Sequence, residues 1–101
     1  MIYEHADLRI NPDTEEKFVR DFTAVRKLLV EAEGCHSVEL LVSVDSPNTY
    51  LLRVCWENIE DHTVRFPGTS EANELRRVLM EHCVTPPQVL HFSGQDVLIS
   101  L

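Results

Sequence analysis

"VELLVSVDSPNTYLLRVCW", residues 38–56, decides the fold. Val38, Leu40, Val42 and Val44 alternate with Glu39, Leu41, Ser43 and Asp45, the period of two that sends successive side chains to opposite faces of a strand. "DSPNT" at 45–49 is turn chemistry: proline presets φ, and aspartate, serine and asparagine bond their own backbone. The next strand, Tyr50 to Glu57, sets Tyr50, Leu52, Val54 and Trp56 against Leu51, Arg53, Cys55 and Glu57. Both sets hold apolar residues, so something is predicted to cover each face.

Upstream of this pair, Ile2 to Ile10 alternates as a half-buried strand, with Glu4 the exception on its apolar side. "NPDTEE" follows, with Asn11 as cap, Pro12 at the first helical position and acids in the first turn, where the helix dipole favours them. Phe18, Phe22, Val25, Leu29 and Ala32 form one face of a long helix that Gly34 is placed to end. Downstream, Asn58 caps a short helix that Pro67-Gly68 ends. Thr69 or Ser70 caps the next, whose stripe is Ala72, Leu75, Leu79 and His82, and Pro86-Pro87 stops it. "QVLHFSGQDVLISL", 88–101, reads as a long last strand bent or bulged at Gly94.

The order is βαββαβ with the second helix split. It predicts one domain over 1–101, a ferredoxin-like α+β fold with an antiparallel four-stranded sheet and helices on one face. Leu41, Leu51 and Cys55 then remain on the other face, and a second copy of the same sheet is the simplest cover. A homodimer is predicted.

The totals exclude several function classes. In 101 residues, 9 basic against 17 acidic side chains give a net charge of −8, which repels phosphate backbones and anionic lipid. The βαββαβ order also carries RNA-binding domains, but those need aromatics and basic groups on the central strands. Here the first and third strands offer Tyr3, Tyr50 and Trp56 with Arg9 and Arg53, on an acidic domain. No nucleic-acid partner is predicted. No apolar run approaches a membrane span, and "MIYEHADLRI" carries charges where a secretory leader would be apolar. Cys35, Cys55 and Cys83 are an odd set without close pairing, which suits a reducing compartment, and a cytoplasmic location is expected. The histidines and cysteines lack metal-ligand spacing, and Gly34, Gly68 and Gly94 are isolated, so neither a metal nor a phosphate loop is predicted.

"EGCHSVELLVSVDSPNTYLL", then "YLLRVCWENIEDHTVRFPGTSEANELRRVL" and "VLHF", resemble the antibiotic biosynthesis monooxygenase (ABM) domain family of dimeric α+β barrels. The resemblance covers nearly the whole chain. Its most recognisable part is the strand ending in Trp56, then "ENIEDH", then Phe66 to Ser70. It implies a homodimer with a pocket between sheet and helices in each subunit. The implied activities are cofactor-independent oxygenation of electron-rich aromatics or quinols, haem degradation, isomerisation of small carbonyl compounds, or ligand binding without catalysis. The haem-degrading branch uses an Asn, a Trp and a His at positions where this chain has Ala6, Arg65 and Leu75. Haem degradation is therefore not expected.

The candidate site follows from chemistry and placement. His62 shares a helical stripe with Ile59 and Phe66; a near-neutral imidazole there suits taking a proton from a phenol or enol. Glu4 faces the helices, where burial would raise its pKa and make it an acid or base. These two are the expected catalytic residues. Trp56 and Phe66 are expected as aromatic walls, and Arg65 and His91 as further substrate contacts. Each also has a purely structural reading, in core packing or a surface hydrogen bond. No metal or organic cofactor is called for, and the expected partner besides a second copy is a small-molecule substrate.

Overall fold

The computed structural model describes residues 1–99. Its strands are β1 (Ile2–Arg9), β2 (Cys35–Val42), β3 (Thr49–Trp56) and β4 (Gln88–Ser93), and its main helices are α1 (Glu15–Leu29) and α2 (Ser70–His82). All strands pair antiparallel in the order β2-β3-β1-β4. This is the predicted four-stranded α+β sheet.

The local signals act where their chemistry places them. The Asn11 side chain accepts the Asp13 N–H at 2.9 Å and opens a 3₁₀ turn, Pro12–Thr14, that leads into α1. Thr69, rather than Ser70, caps α2, accepting the Ala72 N–H at 3.1 Å. Between β3 and α2 the chain makes one π-helical turn, Asp61–Arg65, and a 3₁₀ turn, Phe66–Gly68. The second helix is therefore split as predicted.

Several details differ from expectation. Helix α1 ends at Leu29 rather than at Gly34, and a tight turn connects them. Strand β2 starts at Cys35 and stops at Val42; Val44 is 94% exposed in the turn. Val78 takes the buried place expected of Leu79 on α2, because 75, 78 and 82 keep one helical face inward. The last strand ends at Ser93, where Gly94 N–H returns to the Met1 carbonyl at 2.9 Å. Residues 100 and 101 of the predicted long strand lie outside the described residues.

The core is the sheet's inner face, with Ala6, Leu8, Leu52, Val54 and Trp56, packed on Phe18, Phe22, Val25 and Leu29 of α1 and on Ala72 and Val78 of α2. The outer face keeps Leu41 and Phe92 about half exposed, at 45% and 48%. Cys55, predicted on that open face, is buried with its Sγ 3.9 Å from Met1 Sδ. Strand β4 pairs with β1 alone, and Val89 on its inner side remains exposed. None of the described helices is long and apolar enough to cross a membrane.

Candidate active site

Sheet register builds the site. On β1, Glu4 lies opposite Val54 of β3 on one side and His91 of β4 on the other. Ile2 lies opposite Trp56, which makes Trp56 the diagonal neighbour of Glu4 on the inner face. The Trp56 indole N–H donates to Glu4 Oε1 at 3.0 Å. The same oxygen is 3.3 Å from His62 Nε2, and His62 Nδ1 is 2.8 Å from His91 Nε2. Three proton-carrying side chains from β1, the π-helical turn and β4 thus form one chain.

The aromatics hold that chain in place. His62 stacks on Trp56, with ring centres 5.3 Å apart and planes 12° from parallel, and Phe66 leans on both. The π-helical turn aims His62: an extra residue rotates the following side chains, and such turns recur at functional sites. Its i→i+5 bond runs from Phe66 N–H to the Asp61 carbonyl.

Asp61 anchors the turn, a role the sequence reading did not assign to it. It is buried, accepting the Asn58 N–H at 3.0 Å and the Arg65 guanidinium at 2.6 Å. Arg65 turns to Asp61 and toward Glu33, away from Glu4 and His62. The structure thus brings together Glu4, Trp56, His62, Phe66 and His91, and leaves Arg65 outside. Trp56 is 0% exposed and Phe66 nearly buried, so they support the site from within instead of walling an open pocket.

Burial opposes charge on both Glu4 and His62. Burial raises the Glu4 pKa, against the lowering effects of the Trp56 hydrogen bond and of His91. Burial also pushes His62 down to about 4, with His91 adding to the drop. Both follow from the cost of an ion in a poorly solvated place. The side chains of Glu4 and His62 are 7% and 18% exposed, and His91 is the partly exposed end on the edge strand.

Two clefts lie elsewhere. One of about 890 Å³ sits beyond the C-terminal end of β1, among Arg9, Pro47 and Pro86. One of about 340 Å³ adjoins the end of α2 at Leu79 and Met80. A second polar cluster joins α1 to α2. His82 Nε2 lies 2.9 Å from Asp21 and 3.2 Å from Glu81, and Lys17 pairs with both acids. Asp21, Glu81 and His82 have the donor atoms of a metal site, but Lys17 already supplies the cation, and the Thr14 hydroxyl meets His82 Nδ1 at 3.0 Å. The cluster locks the two helices together.

Residues 1–66 match the family model described as "Antibiotic biosynthesis monooxygenase". An uncharacterised Bacillus subtilis (strain 168) protein, YczJ, is 34% identical over 97 residues, which covers 96% of this chain and all of that one. A Bordetella bronchiseptica structure described as an antibiotic biosynthesis monooxygenase superposes with a TM-score of 0.87 at 34% identity, covering 93% of this chain and 96% of that one. A Streptomyces coelicolor monooxygenase, solved in complex with nanaomycin D, shares the fold at a TM-score of 0.78 and 21% identity, over 95% and 88% of the two chains.

Proposed function

The chain belongs to the antibiotic biosynthesis monooxygenase family, and on that premise we propose that it is a cofactor-independent monooxygenase of an electron-rich aromatic or quinol-type small molecule. The observation that supports this most is the contiguous Glu4, His62 and His91 chain behind an exposed edge strand. Such a substrate needs only to lose a proton: the anion then passes an electron to O₂, the radical pair combines, and the peroxide anion takes the proton back and loses water to leave a carbonyl. The protein's part is to bind, deprotonate and exclude bulk water. The small-molecule complex of the Streptomyces coelicolor monooxygenase is consistent with a ligand of this size in the fold.

Oxygen uptake with a panel of anthrones and quinols tests the reading. Purified protein is expected to consume oxygen with at least one of them, and His62→Ala to slow that uptake by about 10²-fold or more. An oxygen electrode that records no uptake across the panel sinks the assignment.

The sheet's outer face supports a homodimer as the working form. Leu41, Leu90 and Phe92 lie exposed on it, and Arg53 there stacks 4.3 Å over the Tyr3 ring while its Nε is buried without a partner. Sedimentation of the wild type should give a two-chain particle, and Phe92→Glu, which puts a charge on that apolar face, a one-chain particle. A one-chain wild type refutes the dimer.

A further inference from the structure

The order of donors and acceptors in the site identifies which atom meets the substrate. Glu4 Oε1 accepts the Trp56 N–H, and the same oxygen faces His62 Nε2. An ionised carboxylate has no proton to give, so the proton on that approach belongs to His62 Nε2. A neutral imidazole protonated at Nε2 has its lone pair on Nδ1. The 2.8 Å contact from His62 Nδ1 therefore needs a donor, and His91 Nε2–H is the atom in place. His91 Nδ1 is left with a lone pair. It has no hydrogen-bond partner among the described residues and lies on the strand that neither helix covers.

We propose that His91 Nδ1 is the proton-accepting atom of this site and that Glu4, reached through His62, is where the proton's charge is finally neutralised. The proposal rests on the monooxygenase reading only for the substrate's identity. In the step, an O–H or acidic C–H bond of the substrate breaks and its proton goes to His91 Nδ1. The His91 Nε2 proton passes to His62 Nδ1, and the His62 Nε2 proton passes to Glu4. The substrate keeps the electron pair. One negative charge stands on Glu4 before the transfer and one on the substrate after it.

Burial makes this route cheaper than a single-residue base. A proton stored on His62 alone creates an imidazolium where burial disfavours it. Sending the proton on to Glu4 discharges a carboxylate that burial also disfavours. Both rings stay neutral and exchange tautomers. His91 Nδ1–H then points at the new substrate anion and holds it by a charge-assisted hydrogen bond. The other groups facing Glu4 do not compete: Trp56 is a donor only, and burial first, then nearby charge, raise the Cys35 thiol to about 11.

Imidazole nitrogen spectra of the labelled, ligand-free protein test this, with signals assigned through single His→Gln variants. Above the titration of Glu4, both His62 and His91 are expected to carry their proton on Nε2. On acidification His62 should move to the Nδ1–H form in one step that Glu4→Gln abolishes. An imidazolium on His62 in that step, Nδ1–H on His91 above it, or survival of the step in Glu4→Gln overturns the relay. The first two outcomes need no Glu4 variant, so a misfolded Glu4→Gln protein does not block the test. Since no substrate is present, the relay and the oxygenase reading fail separately: correct tautomers without oxygen uptake sink only the latter.

Discussion

Gly34→Ala is expected to lower stability by about 2–5 kcal/mol, because it combines two costs. Gly34 has φ +80°, a left-handed conformation that costs an L-residue roughly 1–2 kcal/mol. An alanine Cβ would also sit 2.1 Å from Asp61 Oδ2 and 2.3 Å from its Cγ, so the Asp61 carboxylate must leave. That strands the Asn58 N–H and the Arg65 guanidinium, which it holds at 3.0 and 2.6 Å. Losing a buried charged acceptor adds about 1–3 kcal/mol. At about 5 °C per kcal/mol for a domain of this size, the melting temperature should fall by roughly 10–25 °C. Gly68→Ala is the control, since nothing lies within 4 Å of its added Cβ and its φ is not positive. It should stay within about 0.5 kcal/mol of wild type. Equal effects in thermal melts would show that the Asp61 contact matters little.

This glycine also marks the limit of what the residues alone reveal. Period-two alternation made β1 and β3 legible, and the capping chemistry of Asn11 and of the 69–70 pair marked where helices begin. Each of those is a local signal. Asp61 was illegible because its meaning depends on Gly34, which is 27 residues earlier and reaches it only through the loop return after α1. The same holds for the site. Alternation placed Glu4 on the inner face, and helical spacing turned His62 inward, so both were readable as residues of the candidate site. Their joining through His91 needed the β1–β4 register, and the Trp56 hydrogen bond needed the β1–β3 register. Arg65, expected as a substrate contact, pairs instead with Asp61, whose burial no local pattern shows. The exposed inner side of β4 likewise escapes a pattern argument, since alternation says which residues share a face but not whether a helix arrives to cover it.

The largest pH effect is expected from His62. Its ordinary pKa of about 6.5 falls to about 4 in the folded chain, so between those values the unfolded chain binds its proton more readily than the folded one. Stability from this group is fully present above pH 6.5 and drains away as pH falls toward 4. A separation of that size is worth up to about 3 kcal/mol. Glu4 acts in the opposite direction. Its raised folded pKa makes the folded chain take up a proton first, so its contribution is present below pH 4.5 and is lost as pH rises through the folded value. Denaturant titrations of wild type and His62→Gln at pH 7, 6, 5 and 4 separate the two. The gap between the curves should narrow on acidification as wild type loses stability and His62→Gln does not, and the variant's residual slope should carry the sign of Glu4. Parallel curves across that range would mean that His62 titrates normally in the folded state, with its imidazole as free to accept a proton beneath Trp56 as in water. Burial would then impose no penalty on charge at His62, and a single-residue base would cost no more than the longer route through Glu4.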